Sequence, residues 1–97
     1  MPRPSRCRRV GRRFGHKLFK PAGIPGRELE EVQLTIDELE AIRLSDVKGN
    51  CQEECAKEMD VSQPTFHRLV NQARKKIGDA IVNGKALRIE GGNVRYR

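Results

Sequence analysis

The longest regular pattern of apolar positions lies between residues 62 and 84. From Phe66 onward, apolar residues recur at the i, i+3, i+4, i+7 spacing of a helix that buries one face. Ser62 is an N-cap candidate, Pro64 fits the first turn, and Gly84 supplies an end. The pattern predicts a long helix over about four turns. Its predicted inward positions are Phe66, Leu69, Val70, Ala73, Ile77, Ala80 and Ile81.

The segment after Leu34 has the signature of a helix start. Thr35 and Glu38 stand at the spacing of a capping box, in which the Glu carboxylate reaches back to the backbone of the cap. We expect a first helix from about Ile36 to Val47 that stops at Gly49. Its broad apolar face would comprise Leu39, Ala41, Ile42, Leu44 and Val47.

Between these two helices the sequence predicts a short helix and a tight turn. The short helix should cover Gln52–Met59, with Asn50 or Cys51 as its cap; Asn50 has the better capping chemistry. The turn that follows needs a left-handed residue, and Asp60 is of a type that tolerates this conformation. Together these segments predict a helix-turn-helix, a motif that can place its second helix in the DNA major groove.

The two ends of the chain predict little regular structure apart from two strands. Residues 1–26 contain four Pro and four Gly, which argues for an irregular or extended arm. Glu30–Leu34 and Ala86–Glu90 each read as a short strand, and the two could pair as a small two-stranded β-ribbon. The predicted fold is therefore mainly α. A basic N-terminal arm precedes a domain over residues 27–97, with the helix-turn-helix at about 51–76.

Positive charge is concentrated in the first twenty residues. They contain eight basic side chains and no acidic one, whereas residues 21–97 carry a net charge of −1, for a total of +7. This distribution is typical of a nucleic-acid-binding protein. No apolar run approaches the roughly 20 residues that span a bilayer, so we expect a cytoplasmic protein with no membrane partner. The residues of the arm expected to contact phosphates are Arg8, Arg9, Arg12 and Arg13.

The polar side of the long helix carries side chains suited to duplex DNA. Gln and Asn can bind adenine, Arg can bind guanine, and Thr can meet thymine or phosphate. Because one such helix reads only a few base pairs, a homodimer or a second DNA-binding partner is also expected. The predicted base-reading residues are Gln63, Thr65, His67 and Arg68, with Asn71 and Gln72 at the margin and Ser62 at the helix start. The predicted phosphate contacts are Arg74, Lys75 and Lys76.

The cysteines leave a sensor function open. Cys7, Cys51 and Cys55 could complete a tetrahedral zinc site with His16, and a thiol at the start of the second helix would suit an oxidant sensor. The stronger interpretation is that Cys55 is a small buried core residue. We therefore predict no metal and no cofactor.

Other classes of function compete with DNA binding. The acidic first helix could dock on the transcription machinery as a protein-interaction module. RNA binding by the arm is weakened by the scarcity of aromatic residues for base stacking. With two histidines in the chain and no phosphate-cradling glycine loop, we expect no enzyme. DNA binding in transcription regulation is the leading hypothesis.

Two resemblances support this hypothesis. Residues 34–83 resemble the C-terminal promoter-reading region of bacterial sigma factors, with a similar leading L-T, a Q-E-E-x-A second helix and a V-S turn. The whole chain resembles a family of small prokaryotic proteins of unknown function that are described as predicted DNA-binding proteins. The matching motifs are CRRV (Cys7–Val10), FKPAGIP (Phe19–Pro25), LTIDELEAIRL (Leu34–Leu44), VSQPTFHR (Val61–Arg68), ARKKI (Ala73–Ile77) and NGKALRIEGG (Asn83–Gly92).

These resemblances imply a sigma-like helix-turn-helix and DNA binding. The chain departs from the pattern at two positions. Asp60 stands where such turns usually carry Gly, which implies some backbone strain. Gln63 stands where the family often has Arg, which implies that a different sequence is read.

Overall fold

The structure, a computed structural model, describes residues 7–15 and 17–96. Within that part of the chain it contains three α-helices, five short strands and a single 3-10 turn at Gly26–Glu28. The helices are α1 (Ile36–Ile42), α2 (Gln52–Met59) and α3 (Gln63–Asn83). The strands are β1 (Arg8–Val10), β2 (Leu18–Phe19), β3 (Glu31–Leu34), β4 (Ala86–Ile89) and β5 (Val94–Tyr96).

Strand β4 is the centre of a three-stranded sheet. It pairs in parallel with β3, with Ala86 opposite Glu31, and antiparallel with β2, with Arg88 opposite Leu18. All three helices lie in the connection between β3 and β4, as a parallel pair requires a long crossover. The predicted pairing of β3 with β4 is confirmed, and β2 adds a third strand to the predicted ribbon.

The N-terminal segment is more regular than its Pro and Gly content predicts. β1 pairs in parallel with β5 at the other end of the chain, and Val10 is fully buried. Of the predicted irregular or extended arm over residues 1–26, the extended alternative is correct for β1 and β2, and the irregular one is wrong there. Each of these strands fits between Pro and Gly positions and finds its partner near the C-terminus, which the local sequence does not reveal.

The ends of α2 and α3 follow the predicted signals. Ser62 Oγ accepts a hydrogen bond from Thr65 N at 3.2 Å, and Gly84 ends α3 at a left-handed φ of 65°. Asp60 ends α2 in the predicted left-handed conformation, with φ 58° and ψ 46°. These residues therefore fix where the long helix begins and ends.

The start of α2 uses the second of the two predicted cap residues. Cys51 occupies the cap position and makes no capping hydrogen bond; its Sγ donates to Glu54 Oε1 at 3.1 Å. Asn50, with the better capping chemistry, instead donates from Nδ2 to Glu58 Oε2 at 3.3 Å. This hydrogen bond to Glu58 of α2 takes the place of the capping hydrogen bond that the sequence favours for Asn50.

Helix α1 starts as predicted and ends differently. Thr35 N donates to Glu38 Oε1 at 2.9 Å, as the capping box requires. The helical path continues toward Val47, but over Arg43–Val47 it widens into a π-helical turn, in which hydrogen bonds reach back five residues. Gly49, at a φ of 83°, lies just beyond this turn.

Two apolar clusters hold the helices and the sheet together. One packs α1 and α2 against the first half of α3. The other fills the space between α3 and the three-stranded sheet. Along α3 the predicted inward side is confirmed for Phe66, Leu69, Val70, Ala73 and Ala80, whereas Ile77 is partly buried and Ile81 is exposed.

The inward prediction is wrong for Ile81 because the sheet covers only part of the apolar stripe. Ala80 is buried in the cluster beside the sheet. Consecutive helical residues are rotated by about 100°, so Ile81 points away from the strip that Ala80 buries. Its side chain is 75% exposed as a result.

Buried carboxylates of α1 connect this helix to distant segments. Glu40, 1% exposed, accepts hydrogen bonds from Arg43 Nε at 2.6 Å and Nη2 at 2.8 Å, and from Gly11 N at 2.9 Å. Glu38 accepts a hydrogen bond from Lys76 Nζ of α3 at 2.7 Å. These contacts attach both the N-terminal segment and α3 to α1.

Candidate nucleic-acid interface

The connection between α2 and α3 is a three-residue turn that is held from two sides. Val61 N donates to Ala56 O at 3.0 Å, which closes the turn on α2. Asp60 Oδ2 accepts a hydrogen bond from Arg95 Nη2 of β5 at 2.7 Å. The C-terminal strand therefore helps to fix the angle between the two helices.

The exposed side of the first half of α3 carries most of the predicted DNA-contacting residues. Ser62, Gln63, His67, Arg68, Asn71, Gln72, Arg74 and Lys75 are exposed, whereas Thr65 and Lys76 are partly buried. In the described part of the chain, no side-chain hydrogen bond or ion pair involves Gln63, Arg68, Gln72 or Lys75. These four side chains are therefore available to an external ligand.

His67 links the surfaces of α2 and α3. Its Nδ1 lies 3.0 Å from Nε2 of Gln52, and its Nε2 lies 2.9 Å from Nδ2 of Asn71. The ring thereby orients an amide on each helix. Gln52 had no place in the predicted interface, because nothing in its local sequence indicates the helix that α2 packs against.

Two cations predicted to contact phosphates are engaged within the protein. Arg74 Nη2 lies 2.6 Å from Asp46 Oδ1, and Arg74 Nε lies 3.1 Å from Asp46 Oδ2. The hydrogen bond from Arg74 lowers the pKa of Asp46. Lys76 points to Glu38, while Lys75 stays exposed. Of the three predicted phosphate contacts, only Lys75 forms no hydrogen bond or ion pair among the described residues.

Arg8 and Arg9 are used inside the protein. Arg9 donates from Nε to Glu58 O at 2.9 Å and from Nη2 to Lys57 O at 3.2 Å, near the end of α2. Helix ends leave carbonyl groups without helical partners, and a guanidinium can satisfy them. Arg8 is largely buried, with its Nε 4.0 Å from Asp37 Oδ2. Arg9 thereby attaches the N-terminal segment to α2, whereas Arg8 adds only a longer-range attraction to Asp37.

Arg12 and Arg13 are exposed and lie against aromatic rings. The Arg12 guanidinium is 5.7 Å from the ring centre of Phe14, and that of Arg13 is 4.2 Å from the ring centre of Tyr96. An aromatic face stabilises a cation without removing its charge. Both arginines can therefore still attract an anionic ligand.

A polar groove opens where α3 begins. Lys57, in the last turn of α2, lines this groove together with Arg68 and was not among the predicted contacts. The sequence could have indicated Lys57, because a position three residues before the turn faces the start of the next helix. The groove is lined by Arg8, Ala56, Lys57, Asp60, Val61, Ser62, Thr65 and Arg68.

The cysteines do not gather into one site. Cys55 belongs to the apolar cluster beneath α3, as predicted, and burial raises the pKa of its thiol. Cys51 and Cys7 are exposed, and Cys7 Sγ donates to Asn93 Oδ1 at 3.1 Å. Over residues 7–15 and 17–96, no group of three or more His, Cys, Asp or Glu could hold a metal ion. His16, part of the zinc alternative, lies outside the described residues.

Comparison with known proteins identifies relatives over the whole chain. A family model described as "Protein of unknown function DUF134" matches residues 1–97. A UPF0251 protein of Thermoanaerobacter pseudethanolicus is 58% identical over 95 residues, which cover 98% of this chain and 80% of the relative. A UPF0251 protein of Moorella thermoacetica is 61% identical over 92 residues, which cover 95% of this chain and 62% of the relative.

No solved structure matches the chain. None of the three helices, in the part of the chain that the structure describes, has the length and apolar character needed to cross a membrane. The predicted resemblance to a prokaryotic family of unknown function is confirmed by the relatives above. The chain belongs to the DUF134 family, whose bacterial relatives carry the name UPF0251.

Proposed function

We propose that this protein binds duplex DNA through a helix-turn-helix formed by α2 and α3, and that it regulates transcription. The observation that carries the proposal is the first half of α3, which presents amide, imidazole and guanidinium groups to solvent while its other side is buried in the core. A helix with such a face fits the major groove. The net charge of +7 favours a polyanionic partner.

Within this proposal the exposed residues divide into two roles. Gln63 and Arg68 lie near the start of α3, where side chains reach furthest into the groove, and they read base edges. His67 holds the amide of Asn71 in place for the same task. The phosphate contacts come from the exposed cations around this face, which are Arg12, Arg13, Lys57 and Lys75.

The proposed role in transcription rests on the order of the helices. The succession of α1, α2, a three-residue turn and α3 agrees with the resemblance to the promoter-reading region of sigma factors. The alternative of docking through an acidic first helix is less favoured, because Asp37, Glu38 and Glu40 are buried and the exposed Asp46 is paired with Arg74. A regulator of this kind would act in the cytoplasm, where bacterial DNA is found.

The direct test is selection of bound sequences from random duplex DNA, followed by a salt titration on the enriched site. We expect a short enriched motif. About four phosphate contacts predict a slope of about −3.6 for log K against log salt. Failure to enrich any motif, together with the absence of salt-sensitive affinity for duplex DNA, would refute the proposed function.

Replacing Asp46 by Asn should strengthen binding to all duplex DNA. The substitution removes a negative charge beside the interface and releases Arg74, which can then meet a phosphate. We expect severalfold higher affinity at low salt and a salt slope steeper by about 1. Fluorescence anisotropy over a range of salt concentrations measures both quantities.

The matched control for Asp46→Asn is Glu31→Gln. Glu31 forms a two-pronged pair with Arg88 of the sheet, at 2.9 and 2.7 Å, outside the proposed interface. Because the charge that Glu31→Gln removes lies away from the interface, the affinity and the salt slope should change little in this variant. Equal effects of the two substitutions would mean that overall charge, and not the release of Arg74, determines the affinity.

A further inference from the structure

The exposed side of α3 changes from polar to apolar near Gly78. Apart from Pro64 in the first turn, the exposed positions before this residue are polar or charged, and beyond it Ile81 is 75% and Val82 is 81% exposed. A Cβ at Gly78 would meet no heavy atom within 4 Å, so packing within the chain does not require glycine there. A glycine inside a helix weakens it, and a close approach by another molecule is a physical reason to keep one.

An apolar groove lies beside Ile81, between the end of α3 and the sheet. Its floor is formed by core residues of both elements, and Phe19 of β2, 52% exposed, stands at its edge. Scattered exposed apolar residues are normal, but a contiguous apolar patch with a polar rim marks an interaction site. Ile81 lines this groove, whereas Val82 is exposed on the neighbouring side of α3. We call the groove, with Phe19 and Ile81 in its lining, and the adjoining Val82 the apolar face. The apolar residues that line the groove are Phe19, Pro21, Leu34, Leu39, Ile77, Ala80, Ile81, Leu87 and Ile89.

The rim of the apolar face carries charges of both signs. Lys20 and Lys85 line the groove, and Lys85 Nζ lies 3.1 Å from Asp79 Oδ2 and 3.5 Å from Glu30 Oε2. Lys85 is already paired with two anions of its own chain, so together with Lys20 this rim carries no net charge in a chain whose net charge is +7. A rim without net charge around an apolar centre does not suit a nucleic acid. It can face a copy of itself, because two such rims do not repel each other.

We propose that the apolar face is covered by a second copy of this chain in a twofold-symmetric dimer. In a twofold contact the same patch lies on both partners and must complement itself. Here Ile81, Val82 and Phe19 of each copy meet the apolar face of the other. The contact removes from water the large apolar side chains that folding alone leaves exposed at this end of α3.

The dimer also separates the two polar faces by a useful distance. Arg68 and Ile81 are 13 residues apart on α3, or about 20 Å along the helix axis. Two helices that meet near Ile81 therefore place their polar halves up to about 40 Å apart, enough for half-sites spaced by one DNA turn of about 34 Å. This use of the dimer rests on the proposed function, whereas the dimer itself does not.

The test is the oligomeric state of the full chain without DNA, measured by sedimentation equilibrium over a range of concentrations. We expect the wild-type protein to form a reversible dimer. Ile81→Asp places a charge in the groove and Val82→Asp places one beside it, and each should raise the dimer dissociation constant at least tenfold. Because both side chains are exposed, circular dichroism and thermal unfolding should show that the variants stay folded.

Val47→Asp is the matched control. Val47 is 79% exposed at the end of the π-helical turn and does not belong to the apolar face, so the dimer should be unchanged. The proposal is overturned if the wild-type protein stays monomeric at about 100 μM. This holds also if the monomer binds neutral lipid vesicles instead of a second copy. A dimer that persists in both Ile81→Asp and Val82→Asp overturns it as well. If the protein forms dimers but has no affinity for DNA, only the proposed function is refuted. If it binds DNA as a monomer, only the proposed dimer is refuted.

Discussion

Replacing Glu40 by Ala should cost about 3 kcal/mol of unfolding free energy, near the lower end of the range for breaking a buried charge pair. The substitution leaves the Arg43 guanidinium and the Gly11 N–H without their acceptor. The lower end applies because the Arg43 side chain is 20% exposed and can turn toward water. Most domains of this size have only about 5–15 kcal/mol of stability, so the loss is easily measured by urea unfolding.

Two further variants show whether the buried position of Glu40 is the cause. Glu53→Ala changes the same residue type at an exposed position in the first turn of α2, and should alter stability by less than about 0.5 kcal/mol. Glu40→Gln keeps an acceptor for Gly11 and loses the charge, so its loss should be intermediate. If Glu40→Ala and Glu53→Ala have equal effects, Glu40 does not hold the N-terminal segment against α1.

Replacing Arg68 by Ala should reduce discrimination between DNA sequences at one position of the selected site. Arg68 is exposed near the start of α3 and has no ion pair among the described residues, so its guanidinium is free to bind a base edge. A two-pronged contact of this type contributes about 1–3 kcal/mol of discrimination. Competition of the selected site against single-base variants measures the loss.

Two other basic residues separate base reading from charge. Lys75→Ala should weaken binding to every sequence by a similar factor and make the salt slope shallower by about 1. Arg27→Ala removes an exposed arginine from the 3-10 turn, outside the proposed interface, and should change neither quantity strongly. A uniform loss across all sequences in Arg68→Ala would place Arg68 among the phosphate contacts and contradict its assignment to base reading.

A deletion of residues 2–13 cannot test the proposed role of the N-terminal segment. It would remove β1, including the buried Val10 and the Arg9 contacts at the end of α2. A loss of DNA binding in that variant would therefore follow from a damaged fold. The exposed Arg12 and Arg13 are the residues of this segment through which charge can be changed while β1 stays in place.

The helices and their ends were predictable because their determinants are local. The apolar spacing along α3, the Ser62 cap, the Gly84 end and the left-handed Asp60 involve residues within a few positions of each other. The pairing of β3 with β4 was also predicted, although the strands are far apart in sequence. The partners of β1 and β2 were not, since short strands carry little information about which neighbour they will find.

The membership of the candidate interface was predictable only in part. The polar side of α3 follows from its periodicity, and seven of its predicted residues from Gln63 to Lys75 are exposed. The sequence does not show that Arg74 meets Asp46, that Lys76 meets Glu38, or that Arg9 satisfies carbonyls of α2. Long charged side chains have no fixed partner until the elements around them are placed. The burial of an apolar side chain can be equally hard to predict. The position of Ile81 in the pattern predicts burial, but the limited width of the sheet leaves it exposed.

Local patterns along the chain are enough to specify the three helices, the turn between α2 and α3, and the chemistry of the face that α3 presents. Which cations remain available on that face, and where apolar surface stays uncovered, depends on the packing of distant segments. Helix formation rests on hydrogen bonds and side-chain contacts three or four residues apart, whereas ion pairs and burial rest on which distant segments come to lie beside each other.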